Sequence, residues 1–291
     1  MRILFWGTPA FAVPTLRALT EEGYDVVGVV TQPDRPAGRG RVLRASPVKE
    51  LALSEGIPVF TPDRPRGEAF MDEIRALEPD LSVVVAYGHI LVREVLDLPR
   101  LGSINVHASL LPALRGAAPI HWAIARGDTV TGVTVMRMVE AMDAGPILYR
   151  VEEPIGPEET SAELTARLSE VGAQALIEAL TLLAAGAITE EEQNHDLATF
   201  APKVSRTAAR IDWARTAREV ADHVRAMDDV PGAWTTLEGD PLKLFRPRLG
   251  DGDGDGGQLD AGTVIDVTGD PSRGLGVATR DGVVWFGEVQ P

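Results

Sequence analysis

At 291 residues with a 44% hydrophobic share, the chain is long enough to bury a sizeable core in one large domain or two moderate ones. It has no cysteine, which excludes disulfides, thiolate zinc sites and cysteine nucleophiles together. The net charge of −15 argues against a nonspecific polyanion binder, and no apolar run reaches the roughly 18 to 20 residues that span a bilayer, so a cytoplasmic location with no membrane contact is expected.

In chain order, Arg2 to Trp6 is a buried strand that ends at Gly7-Thr8-Pro9, and Phe11 to Leu19 spaces its apolar residues as a helix. Tyr24 to Val30 is a second strand, Val48 to Glu55 a helix stopped by Gly56, Ile57 to Phe60 a short strand, and Ala69 to Leu77 a helix. Leu81 to Ala86 is apolar on both faces. Near-continuous apolar strands between helices predict an α/β fold with a Rossmann-like, mostly parallel sheet covered on both sides, where ligands collect at the C-terminal strand ends.

Ser161 to Leu183 is a long amphipathic helix, and Glu190 to Asp196 a polar connector. Past Asp212-Trp213 come one helix, Ala217 to Met227, and short strands at 233–237, 242–247, 262–267, 274–279 and 283–286, a spacing that suggests a small β-barrel. Two domains are expected: residues 1–203, including the connector from about 187, and residues 204–291.

Three features lend themselves to over-reading. Gly7-Thr8-Pro9 occupies the place of a dinucleotide glycine turn, but Pro9 and Phe11 stand where close approach to a pyrophosphate requires glycine. Asp251 to Gly256 begins like a calcium loop, yet its twelfth position is Gly262 and no helix pair flanks it, so a flexible hairpin loop is the simpler reading. His89, His121, His195 and His223 lack metal-ligand spacing, and no metal is expected.

The sharpest charge feature is the Pro/Gly loop from Arg35 to Arg44. With Lys49 it holds Arg35, Arg39, Arg41 and Arg44 and no acidic residue. A solvated basic loop is the plain alternative; in so acidic a chain, contact with phosphate or a nucleic-acid end is the sharper one.

Chemistry concentrates in Ile104 to Pro112. Along a strand, residues i and i+2 project to one side about 6.5 to 7 Å apart, so Asn105 and His107 share one face and Ile104 and Val106 the other. An amide donor beside a histidine suits oxyanion stabilisation and proton transfer, while a hydrogen-bonded structural pair fits the spacing as well. Asp143, in the Gly/Pro turn of Met142 to Pro146, supplies a carboxylate that would orient the ring if the two met.

Asn105-x-His107 followed by Ser109-Leu110-Leu111-Pro112, with Asp143 in "MDAGPI", resembles the signature of the 10-formyltetrahydrofolate-dependent formyltransferases. "ILFWGTPAFAVPTL", "VVTQPDRPAGRGRVLRASPVKELA", "VVVAYGHIL", "GSINVHASLLPALRGAAPI" and "ARIDW" extend the likeness through nearly the whole chain, toward members that act on initiator tRNA. The resemblance implies transfer of a formyl group from 10-formyltetrahydrofolate to the α-amino group of methionyl initiator tRNA for translation initiation, without a covalent enzyme intermediate. A formyltransferase acting on a nucleotide-linked amino sugar is the alternative.

By the same resemblance Asn105, His107 and Asp143 are catalytic. The folate lies against Val85, Gly88, Ile90 and Leu91 and the Ser109, Leu110, Leu111, Pro112 turn, while Arg39, Arg41 and Lys203 contact the tRNA. The second domain is implied to be an OB-fold-like barrel that grips the acceptor arm, and the protein to be a monomer. Two departures stand out: relatives usually continue past Val289-Gln290-Pro291 with a lysine-containing segment, and His121 stands where many have glutamine.

Overall fold

In the computed structural model, which describes residues 1–37, 42–250, 259–267 and 274–291, the apolar runs become strands in the expected places. The chain runs β1 (Arg2–Gly7), α1 (Val13–Glu21), β2 (Asp25–Val30), β3 (Arg35–Ala37), β4 (Val42–Arg44), α2 (Pro47–Ser54) and β5 (Val59–Phe60). It continues through α3 (Glu68–Arg75), β6 (Leu81–Val85), α4 (Arg93–Leu96), β7 (Ser103–His107), α5 (Pro119–Ala125), β8 (Val130–Arg137), β9 (Ile147–Pro154) and α6 (Ser161–Ala184). After α7 (Ala217–Ala226) come β10 (Trp234–Leu237), β11 (Asp240–Leu249), β12 (Val264–Val267), β13 (Leu275–Ala278) and β14 (Val283–Gln290). Two compact units result, one of Met1–Arg115, Gly132–Glu153 and Ala166–Thr199, the other of Gly116–Thr131, Pro154–Thr165 and Phe200–Pro291.

The first unit is built on a seven-stranded sheet ordered β5-β2-β1-β6-β7-β8-β9. Pairing is parallel from β5 through β7, and β8 then joins β7 antiparallel. All of β6 is buried, which is why its sequence is apolar on both faces. Leu4, Trp6, Val30, Val84 and Tyr87 pack with Phe70, Met71 and Ile74 of α3. Trp6 meets Phe70 and Tyr87 edge-on, with ring centroids 6.1 and 5.3 Å away, and gives its buried Nε1–H to Ser82 Oγ at 3.1 Å, so the large ring adds core area without an orphaned donor. Helix α2 starts where sequence rules place it: the Ser46 hydroxyl accepts from Lys49 N at 3.1 Å, and Pro47 follows the cap.

The basic stretch differs from the expected open loop. Arg35 to Ala37 pairs antiparallel with Val42 to Arg44, so main-chain hydrogen bonds make a two-stranded ribbon of its flanks, and Lys49 is tied to Asp34 at 2.8 Å. Arg39 and Arg41 lie outside the described residues, as do the Asp/Gly positions 251–257.

The second unit carries a five-stranded antiparallel sheet ordered β10-β11-β14-β13-β12. Residues of β10, β11, β12 and β13 line one cavity of about 240 Å³ together with Arg210, Ile211 and Trp213, so the sheet curls as a half-barrel. Helix α7 opens with a reciprocal cap between Thr216 and Glu219. Burial pushes both His121 and His223 below the ordinary imidazole value of 6.5, against the opposing pull of hydrogen bonds to the backbone of Val230 and Ala209 respectively.

A depressed imidazole binds fewer protons folded than unfolded. Its contribution to stability is therefore whole above the unfolded value of 6.5 and is lost as pH falls below it. Thermal melts should show the second unit weakening from pH 7.5 toward 5.5, and His121→Gln with His223→Gln should flatten that slope; an equal slope in the double variant would discard this account.

Candidate active site

The site lies at the C-terminal end of β7. Gly172 of α6 has no Cβ, and one placed there would come within 3.0 Å of Val106, so the helix packs closely behind the strand on the Val106 side. Asn105 and His107 take the opposite face, as their spacing requires. His107 is 6% exposed and Asn105 half-buried. The Asn105 side-chain amide forms no hydrogen bond with the described residues.

His107 is fixed from one side. Its Nε2 lies 3.0 Å from the Leu114 carbonyl oxygen, and a carbonyl can only accept, so Nε2 carries the proton and donates. The other ring nitrogen, Nδ1, lies 3.8 Å from Asp143 Oδ2. That separation is too long for a hydrogen bond but short for two opposite charges. Both partners are largely shielded, with side-chain exposures of 6% and 16%.

Asp143 reaches this place through an unusual backbone. Its φ of +51° is left-handed, uncommon outside glycine and tolerated by Asp and Asn. Two residues on, a Cβ at Gly145 would overlap the Arg137 carbonyl oxygen at the end of β8, so glycine is required for the turn to lie against the strand.

The turn from Ser109 to Pro112 is shaped by its own hydrogen bonds. Thr134 of β8, fully buried, donates to the Ser109 carbonyl at 2.6 Å and accepts from Leu111 N at 3.1 Å. Ser109 Oγ donates to the Ala113 carbonyl at 2.6 Å, so this hydroxyl serves the turn. Leu111 is buried, while Leu110 and Pro112 are half-buried.

Beyond β6, residues 85–91 form a second rim. Val85 and Leu91 point into the core, whereas Ile90 is 78% exposed. Thr8 Oγ1 and Gln32 Nε2 both donate to the Tyr87 carbonyl at 2.9 Å, giving the Gly7-Thr8-Pro9 turn a scaffold role. A Cβ at Gly88, whose φ is +88°, would strike Gln32 Nε2. The peptide groups of Gly88, His89 and Ile90 have no partner among the described residues, leaving donors and acceptors that can meet a flat polar heterocycle. Burial pushes the Tyr87 hydroxyl up to about 12, so it remains a neutral phenol.

Asn105, His107 and Asp143 are thus brought together with the two rims in the first unit. Lys203 belongs to the second and is exposed there, and His121 sits on α5, also in the second. Sequence reasoning passed over Thr134, Arg115 and Gln193. Gln193 lies in the polar connector and is only 5% exposed; nothing in the local pattern separates it from Glu190, Glu191 and Glu192.

The formyl transferase family model matches residues 1–180, and the model for the formyl transferase C-terminal domain matches 203–291. A methionyl-tRNA formyltransferase of Pelobacter propionicus is 48% identical over 288 residues, covering 99% of this chain and 88% of the relative. One from Bacillus subtilis is 49% identical over 247 residues, 85% of this chain and 78% of the relative. Among solved structures, an N-formyltransferase from Helicobacter canadensis with folinic acid and dTDP-3-aminofucose superposes with a TM-score of 0.75 at 16% identity, covering 99% of each chain. HypX from Aquifex aeolicus with tetrahydrofolic acid gives 0.66 at 21% identity, over 99% of this chain and 44% of that one. At such identities the solved structures show a shared fold.

Proposed function

The chain belongs to the methionyl-tRNA formyltransferases, formyl-folate enzymes that formylate methionine charged on initiator tRNA, and on that footing we propose that Asn105, His107 and Asp143 carry the chemistry. The observation behind this is the one-sided anchoring of His107. With Nε2–H committed to Leu114 O, the neutral ring holds its lone pair on Nδ1, on the side of Asp143. A proton leaving the attacking amine is received at Nδ1. The imidazolium so formed is stabilised by the Asp143 carboxylate and passes the proton to the departing nitrogen.

As the amine nitrogen bonds to the formyl carbon, negative charge builds on the formyl oxygen. The uncommitted Asn105 amide can donate to that oxygen, and imidazolium at His107 adds positive charge nearby. Placing a donor in advance where charge develops lowers the barrier more than it aids substrate binding.

The co-substrate is proposed to be 10-formyltetrahydrofolate, which supplies a formyl group on a nitrogen able to leave once protonated. Val85, Gly88, Ile90 and Leu91 on one rim and Ser109, Leu110, Leu111 and Pro112 on the other would hold it. The free peptide groups of 88–90 support this, since a reduced pterin presents matching donors and acceptors.

Arg39, Arg41 and Lys203 are proposed to contact the tRNA, and residues 204–291 to act as an OB-fold-like tRNA-binding domain. The exposed guanidiniums of Arg206 and Arg210 lie 5.4 and 5.6 Å from the Trp234 ring, a cationic aromatic surface of the kind that receives a nucleic-acid backbone. The protein is taken to work as a cytoplasmic monomer; among the described residues no helix is long and apolar enough to cross a membrane.

Incubating the protein with 10-formyltetrahydrofolate and methionyl initiator tRNA should yield formylmethionyl-tRNA, and an amino-sugar nucleotide in its place should yield nothing; product from the sugar alone would reverse the assignment. Arg39→Ala should weaken use of initiator tRNA, raising its KM while that for folate stays put. Unaltered tRNA kinetics would reject the tRNA contact proposed for Arg39.

A further inference from the structure

We infer that Gln193 and Arg115, with Thr199, are positioning residues that hold His107 and Asp143 facing one another, so that the segment between α6 and residue 200 is part of the catalytic scaffold. This rests on the catalytic reading of His107 and Asp143 given above.

The Gln193 side-chain amide is spent in full. Its Nε2 donates to the main-chain carbonyls of Asp143 at 2.9 Å and Gly145 at 2.7 Å. Its Oε1 accepts from Arg115 Nε at 3.2 Å and Nη2 at 2.6 Å. A flipped amide would set its oxygen against two carbonyls and its NH2 against a guanidinium, so the contacts dictate one orientation. Both residues are buried, Arg115 at 6% and Gln193 at 5% exposure. In such surroundings a broken hydrogen bond is costly, so the turn moves as a unit with the connector. The grip falls on Asp143 itself, whose left-handed backbone must persist for its carboxylate to face Nδ1.

The other half of the pair is held by the same two segments. Leu114, whose carbonyl accepts the hydrogen bond from His107 Nε2–H, is left-handed at φ +59°. Its N–H donates to Thr199 Oγ1 at 2.9 Å, and the next N–H, that of Arg115, donates to the Thr199 carbonyl at 2.9 Å. Gln193, braced by Arg115, therefore fixes Asp143 on the Nδ1 side, and Thr199 fixes Leu114, the partner of Nε2. His195 Nδ1 accepts from Arg115 Nη2 at 2.9 Å, which steadies the guanidinium from the solvent side.

The test compares Gln193→Met, close in shape but with nothing to donate, with Arg115→Lys, which retains the charge and gives up the forked grip. Each is measured alone and combined with Asp143→Asn in steady-state kinetics on the full-length protein, at a temperature where melting curves show it folded. Both are expected to lower kcat about tenfold or more while KM for tRNA stays within about twofold. The Gln193→Met loss should vanish on top of Asp143→Asn, because a side chain already disabled has no position left to lose. A Gln193→Met loss that multiplies that of Asp143→Asn, or a change in melting temperature with kcat intact in both single variants, overturns the positioning role. If Asp143→Asn alone leaves kcat unchanged, the catalytic reading of Asp143 falls, and this inference with it.

Discussion

Replacing His107 with alanine is expected to lower turnover on the order of 10²-fold or more while leaving initiator-tRNA binding nearly unchanged. The ring is buried, held at Nε2 by Leu114 and faced at Nδ1 by Asp143, so its removal takes away the group that receives the proton and leaves the tRNA contacts in place. Single-turnover formylation under saturating substrates isolates the chemical step, and a filter-binding titration checks the tRNA. Turnover within a few-fold of the wild type would show that solvent or another group moves the proton.

The largest stability effect is expected at Arg225 in the second unit. Its Nη2 donates to Asp222 Oδ1 at 2.6 Å, with side-chain exposures of 8% and 6%. Its Nη1 donates to the Glu159 carbonyl at 2.6 Å and to that of Gly156 at 3.3 Å. Arg225→Met would leave a buried carboxylate without its counter-ion and remove the guanidinium's bonds to the Glu159 and Gly156 carbonyls, a loss of about 3–5 kcal/mol. Urea unfolding followed by tryptophan fluorescence reads it directly, since Trp213 and Trp234 lie in the same unit. A decrease below about 1 kcal/mol would mean that water or a neighbouring cation substitutes for the guanidinium.

Much of the architecture was legible because it is written in periodicity. The apolar runs at 2–6, 24–30 and 81–86 could be strands only if both faces were covered, and that requirement alone implies a parallel sheet between helices. Short strands punctuated by glycine and proline pointed to a small β-barrel, and the structure has a five-stranded antiparallel sheet curled as a half-barrel there. Helices α4 and α5 escaped because both are too short for a periodic signal, and strands β3 and β4 because they are made by main-chain pairing among residues whose side chains suggested an open loop.

The alternation in "INVHASLLP" was sufficient by itself to put Asn105 and His107 on one face at a strand end, the Gly/Pro turn of Met142 to Pro146 offered Asp143 as a carboxylate, and the likeness to folate-dependent formyltransferases implied that the three act together. Those conclusions are local, because strand geometry relates residue i to i+2 without reference to the rest of the molecule. What only the tertiary structure decided is which ring nitrogen is tied down, how far Asp143 stands from the other, and what keeps both there. Gln193 lies 86 residues from His107 and 50 from Asp143, in a connector whose composition suggests solvent. A side-chain amide satisfied by two distant segments leaves no periodic trace, since two of its partners are main-chain carbonyls that every residue possesses and the third, the Arg115 guanidinium, lies 78 residues away.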